Sequence, residues 1–382
     1  MFASIPRWLR IVVYTQIALV FAIPFGGWIL QRAGEAADMR TYPPPGQMVD
    51  VGGHLMHLYC VGERGDGPLV VFNADLGDSG LVWRGVQNQL KGRVRSCAID
   101  RAGLGWSESG PADRSITATS HELYNALTVA GEAAPYLAVG HGLGALQLAM
   151  MAQEHPTEVS GLVFVDPHPP DCLKERFEGI LALVPVPSRT AIRPRLDEVV
   201  EERGACPDGE GGTPLLSWLA RIGMVRALAG RNFDPTSPTA ELLPVHRALK
   251  LRTQAIEATL LESKTAYVGL EEAREAIAQL ASLPVQMISR GRMGNFPEDQ
   301  EFLTRRADPD TLAFERAQLQ YDQERHAEMV AGDPNASRTM AAASGHYIPI
   351  TQPEVVADAI LSVLPITQTT RDRSRETPGS GL

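Results

Sequence analysis

The chemistry in this sequence begins at Gly140-His141-Gly142-Leu143-Gly144. An apolar run, Tyr136 to Val139, leads into it, and a helical pattern over 144–155 follows. Strand, glycine-flanked turn, helix is the layout of Gly-x-Ser-x-Gly, the sharp turn that presents a serine for attack on a carbonyl. Here the central position is Gly142, so the turn is present and the attacking oxygen is missing. Other reactive patterns are sparse. No Gly-x-Gly-x-x-Gly follows a strand, no Walker loop occurs and no Cys/His cluster has zinc spacing, so neither a cofactor nor a metal is expected. His54 and His57 fall in an alternating pattern and read as strand-face residues. Cys60 and Cys97 lie in apolar strand patterns, as small buried hydrophobes would. Cys172 and Cys206 lie in polar, proline-containing stretches, and either form a bridge in an oxidising compartment or stay two free thiols.

The elements that must position this turn can be read from periodicity. The 382 residues are 44% hydrophobic and 21% charged, ordinary for a globular protein. A net charge of −10 without any Lys/Arg block argues against nucleic acid as a partner. Met48 to Tyr59, around Gly52-Gly53, reads as a hairpin. Strand-like runs at Leu69–Phe72, Val94–Ile99, Tyr136–Val139 and Val159–Val165 alternate with helical patterns at 81–91, 116–132 and 144–155. That alternation implies an α/β fold with a mostly parallel twisted sheet and crossover helices on both faces. Residues 170–282 break it, with helical stretches at 215–229, 239–265 and 268–281 and no convincing strand. The sheet resumes at Pro284–Ile288, followed by a helix over 308–331, a strand ending near Ala343 and a last helix at 353–364. The expected organisation is therefore an anchor and linker at 1–46, core at 47–169 and 283–365, a helical lid at 170–282 and a disordered tail at 366–382.

The N-terminus adds a membrane element. Ile11 to Leu30 carries no charge, and about 20 apolar residues are what a helix needs to span the hydrocarbon layer. The apolar region of a cleaved signal peptide is shorter, ~7–15 residues. Residues 31–46 read as a polar linker ending in Pro43-Pro44-Pro45-Gly46. A single-pass anchor with the folded domain extracytoplasmic is the expectation, set by Arg7 and Arg10 before the apolar run.

Several motifs in order resemble one family. Ala98-Ile99-Asp100-Arg101-Ala102-Gly103-Leu104-Gly105-Trp106-Ser107, the turn at Gly140–Gly144 with Gly161–Pro167 beyond it, and Ser344-Gly345-His346 are similar to the corresponding stretches of the α/β-hydrolase superfamily, of the esterase and lipase type. The resemblance covers about 47–169 and 283–365. It implies that His346 is the catalytic base and that the backbone N–H of Leu143 is an oxyanion donor. A second donor would come from the loop after the strand at 69–72, at Leu76. Where the family has His-Gly in that loop, this chain has Ala74-Asp75. The family's acid maps onto either Asp166 or Asp299, because Arg290–Asn295 holds no carboxylate.

Gly142 closes the acyl-enzyme route, a loss on the order of 10⁶ in turnover where a protease nucleophile is removed. Asp75 places an anion beside a hole meant for an oxyanion. The sequence thus implies a membrane-anchored, diverged pseudo-hydrolase that binds a small hydrophobic ligand or a protein partner. Two alternatives stand beside it: an active hydrolase using water activated by His346, with Asp166 or Asp75 orienting it, or a serine esterase carrying a Ser-to-Gly change. The hydrophobic-ligand reading rests on a lid stripe of Leu215, Leu216, Trp218, Leu219, Ile222, Met224, Val225 and Leu228.

Overall fold

Two of the apolar runs, β3 (Leu69–Asn73) and β5 (Tyr136–His141), are buried throughout and pair in parallel. They lie at the centre of the sheet in the computed structural model, which describes residues 6–65, 67–206, 214–228, 239–280 and 283–364. Among the described residues the sheet has eight strands. Its order is β1 (Gln47–Asp50), β2 (Leu55–Val61), β4 (Ser96–Asp100), β3, β5, β6 (Val159–Val165), β7 (Val285–Arg290), β8 (Ala336–Ala341). The expected hairpin forms, with β1, β2 and β4 joined antiparallel and every other pairing parallel. The Asp50 carboxylate closes its turn by accepting from the N–H groups of Gly52 and Gly53.

Alternation along the strands builds two cores. Val70 and Phe72 face α2 (Arg84–Leu90) and α15 (Pro353–Val363), packing with Trp83, Val86 and Ile360. Val71 faces α3 (Ile116–Val129) and α4 (Leu143–Glu154), with Leu127 and Leu148. Each large side chain so buried contributes about 1.5–3 kcal/mol. The helical insert is α5 (Leu173–Leu183), α6 (Val186–Arg203), α7 (Pro214–Arg221), α8 (Met224–Leu228), α9 (Leu243–Lys250), α10 (Thr253–Thr265) and α11 (Leu270–Ala278), with no strand among its described residues. After β7 come α12 (Pro297–Arg306), α13 (Pro309–Met329), β8, α14 (Ile348–Thr351) and α15. The tail expected from residue 366 lies outside the described residues.

Three expectations change. First, 31–46 is not a linker over most of its length. A single helix, α1 (Arg7–Thr41), runs through it and stops at Tyr42, because the prolines that follow cannot continue a helix. Its last turns are ordered by the insert: Gln31 Nε2 donates to the Leu251 carbonyl at 2.9 Å, Glu35 accepts from Thr253 N–H at 2.6 Å, and Asp38 pairs with Arg226 at 2.7 Å. Second, Cys60 and Cys97 are not isolated thiols. They sit directly opposite each other on antiparallel β2 and β4, Cα atoms 4.0 Å apart, and are bridged. Cys172 and Cys206 are bridged as well. Third, residues 297–306, to which the periodicity assigned no element, form helix α12.

Candidate active site

β5 ends at His141 and α4 begins at Leu143, so Gly142 alone makes the turn. Its φ of 53° and ψ of −121° are a conformation that costs a residue with a side chain ~1–3 kcal/mol. Gly144 is required for a different reason: a Cβ there would overlap the Ala74 carbonyl and lie 2.7 Å from the Asn73 oxygen. The first turn of α4 is thereby pressed against the end of β3.

Four chain segments converge at this turn. The loop after β3 brings Asp75, the end of β6 brings Asp166, the loop before α14 brings His346, and the elbow brings Leu143. His346 lies between the two carboxylates, with Nδ1 2.6 Å from Asp166 Oδ2 and Nε2 2.8 Å from Asp75 Oδ2. The other oxygen of Asp75 accepts the Leu143 N–H at 2.7 Å. The predicted oxyanion donor is therefore already donating, and to a carboxylate of the chain itself. A Cβ built on Gly142 would overlap Asp75 Oδ1 and Cγ and sit 2.7 Å from Oδ2. Asp75 fills the space that a side chain at position 142 would take.

Asp166 is the acid partner in this geometry, and Asp299 is not. Asp299 Oδ2 accepts from the N–H groups of Asn295 and Phe296 at the start of α12, which holds it away from the imidazole. Asp166, at a φ of 40°, also accepts from Arg290 N–H at 3.1 Å and its guanidinium at 2.8 Å. Leu76 lies in the loop with Asp75, its side chain packed against the Ile116–Leu143 cluster. The neighbouring amide, Gly77 N–H, donates to Glu262.

The charges set each other. Burial alone would raise both carboxyls, but opposing charge wins. His168 and His346 hold Asp75 well below the usual carboxylate range, and Arg290 and His346 do the same for Asp166. Burial would lower His346; hydrogen bonds to Asp166 and Asp75 overcome it and push the imidazole up to about 10. At neutral pH His346 is an imidazolium held between two anions. Beneath it His141 is fully buried, lowered to about 4 by burial and by the charge on His346.

Some contributors carried no signal in the sequence. His168, two residues beyond Asp166, lies 3.4 Å from Asp75 Oδ1. Arg101 is fully buried and donates to the carbonyls of Ala74 and Asp75, at 2.6 and 2.7 Å, while pairing with Glu262 of α10 at 2.6 Å. This buried pair fixes the Asp75 loop from below and ties it to the insert. Asp75, His141 and His346 have donor atoms within 4.8 Å of one another, a spacing open to a cation. A cation would have to displace the proton that His346 shares with Asp75.

A cavity of about 530 Å³ opens on Asp75, Asp166 and His346. Its walls come largely from α12, α13 and the loops beside them, and are polar, with Arg176, Arg290 and Asp322 among them. None of the eight apolar residues of the lid stripe lines it. The stripe lies instead on α7 and α8, whose connecting turn meets α1 through Ile222, and Leu215, Trp218 and Leu228 in it are exposed.

Residues 67–186 match the family described as alpha/beta hydrolase fold. The chain is 24% identical over 158 residues to the uncharacterized protein YbdG of Bacillus subtilis, 41% of this chain and 49% of that one. It is 38% identical over 102 residues to a putative carbamate hydrolase RutD of Escherichia coli O157:H7, 26% of this chain and 38% of that one. The chain thus matches about half or less of the length of these curated relatives. Among solved structures, a thermophilic esterase from Thermogutta terrifontis superposes with a TM-score of 0.50 at 16% identity, over 83% of this chain and 96% of that one. The epoxide hydrolase CorEH superposes with a TM-score of 0.52 at 17% identity, over 83% and 97%. Sheet order, elbow and these likenesses agree: the chain has the α/β-hydrolase fold.

Proposed function

We propose that this protein is a membrane-anchored α/β-hydrolase-fold protein that has given up serine acyl chemistry and uses its site to bind a small molecule. The observation that carries this is the Asp75 carboxylate lying in the side-chain space of position 142 with one oxygen on the Leu143 N–H. Three requirements of acyl transfer fail together. There is no nucleophile, the oxyanion donor is engaged, and His346 is protonated at neutral pH and cannot accept a proton from water. The polar cavity favours a ligand with polar or charged groups over the apolar one that the lid stripe suggested. α1 is long and apolar enough to span a bilayer and is read as the anchor. The two disulfides support a domain on the oxidising side of the membrane. Incubation with p-nitrophenyl esters is the test: no turnover above a His346→Ala control is expected, and robust turnover by the unaltered protein would end this reading.

One observation favours a second reading. A carboxylate with one oxygen on a backbone amide and the other facing an imidazolium is arranged as a nucleophile beside a general acid. Asp75 Oδ2 would attack an epoxide carbon, the ring C–O bond would break, and the ring oxygen would take the proton from His346. Neutral His346 would then deprotonate a water that attacks the new ester carbonyl, whose oxyanion Leu143 N–H stabilises. His346 returns that proton to the departing alcohol and takes the proton of the regenerated carboxyl, so the net change is epoxide plus water to diol. Turnover of styrene oxide in heavy-oxygen water would leave heavy oxygen in the peptide containing Asp75. The binding reading expects neither diol nor label.

A further inference from the structure

We infer that helices α7 and α8 lie in the headgroup layer of the membrane, so that the helical insert rests on the bilayer. The inference rests on reading α1 as the anchor and then follows from depth. The uncharged run Ile11–Leu30 rises about 1.5 Å per residue and fills a hydrocarbon core of ~30 Å, which puts its outer boundary near Leu30. Gly27 lies three residues inside that boundary, about one turn of helix. The α7–α8 turn packs on it: a Cβ at Gly27 would overlap the Ile222 carbonyl oxygen and lie 3.2 Å from its carbon, and Gly223 faces the Gly27 carbonyl. Further out, the bonds of Gln31, Glu35 and Asp38 to the insert lock α1 against sliding. If α1 spans, the α7–α8 turn is carried to the edge of the hydrocarbon.

The side chains there suit that depth. Leu215, Trp218 and Leu228 are 66%, 48% and 78% exposed, and on α1 Phe25, Trp28 and Ile29, next to the contact at Gly27, are exposed as well. Single exposed apolar residues are ordinary; a group of them around the exit of a spanning helix is an interfacial surface, and Trp is the residue enriched at that level. Arg226, on α8, directs its charge outward to Asp38. The same stripe is thus an apolar face toward lipid, remote from the polar cavity.

Spin labels test the depth in the full chain, reconstituted in phosphatidylcholine vesicles. The native cysteines are paired, so each introduced thiol is labelled alone. Labels go at Leu215→Cys and Trp218→Cys, with Val20→Cys on α1 and the exposed Lys91→Cys, at the far end of the sheet, as references. The ratio of collisions with oxygen to collisions with a nickel chelate is expected to rise at 215 and 218 well above the value at 91, toward that at 20. If 215 and 218 match 91 while 20 is lipid-embedded, the anchor stands and the inference fails. Shielding of 218 from both reagents would mean protein covers the face, which also overturns it. A water-exposed label at 20 would remove the anchor reading, and the inference with it.

Discussion

Replacing Gly142 by serine tests the central geometric claim. In an ordinary elbow the change would restore an enzyme; here it forces a collision. The new Cβ would overlap Asp75 Oδ1 and Cγ, so the carboxylate must leave. Leaving breaks its bonds to Leu143 N–H and to His346, each worth ~1.5–3 kcal/mol as charge-assisted bonds. Part of that returns as Asp75 reaches water in the cavity. The side chain at a φ of 53° costs a further ~1–3 kcal/mol. The net expectation for Gly142→Ser alone is a loss of about 3–5 kcal/mol. In an Asp75→Gly background the collision is gone, and the same change should cost only the backbone term, ~1–3 kcal/mol. Urea unfolding of both single variants and the double therefore should show a coupling of about 2 kcal/mol. Acylation by p-nitrophenyl acetate, followed by intact mass, should appear in the double variant and be absent from Gly142→Ser alone. A single variant with unaltered stability that acylates as fast as the double would show that Asp75 does not occupy that space.

Two further outcomes follow from the charges around the site. The folded His346 binds its proton far more tightly than a free imidazole, about 10 against an ordinary value near 6.5. Its contribution to stability is therefore complete below pH ~6.5 and is lost as pH climbs toward 10. The depressed Asp75 and Asp166 act with the opposite sign: their contributions hold above about pH 4 and disappear in acid. Urea midpoints against pH should therefore fall on the alkaline side in a way that Asp75→Asn weakens, and an imidazole NMR titration placing His346 near its ordinary value would contradict the arrangement. Glu262→Ala should cost about 3–5 kcal/mol, because it strands the Arg101 guanidinium in the core. It should also lower the His346 titration point by loosening the Asp75 loop, and an unchanged urea midpoint would refute the role given to this pair.

The fold was legible because its central strands are buried on both faces and its helices separate them at regular intervals. Those runs, the hairpin glycines and the elbow spacing are local signals. The acid was not local: the sequence left both Asp166 and Asp299 open, and the contact of Asp166 with His346, with Asp299 held instead at the start of α12, separates them. Arg101 and Glu262 are 161 residues apart, so no spacing rule could join them. The Cys60–Cys97 bridge was hidden because an apolar strand pattern is the same for a buried thiol and for a bridge between facing strands. The linker was misread because residues 31–41 are polar for the sake of the insert they bind, not for water.

What the sequence displayed as two defects is one arrangement in space. Asp75 and Gly142 each look hostile to hydrolysis when considered alone, and each is intolerable without the other. With a serine at 142 the carboxylate has no room; with glycine at both positions the Leu143 N–H and His346 would face an empty hole. A lone serine replacement accounts for Gly142 and leaves Asp75 unexplained, whereas mutual occupancy accounts for both. The carboxylate is also held on every side, by an amide, an imidazolium, His168 and a loop clamped by Arg101. A group so constrained turns neither toward solvent nor away from the cavity it lines. Whatever enters that cavity meets a fixed anion and a shared proton where a Gly-x-Ser-x-Gly turn would offer a hydroxyl.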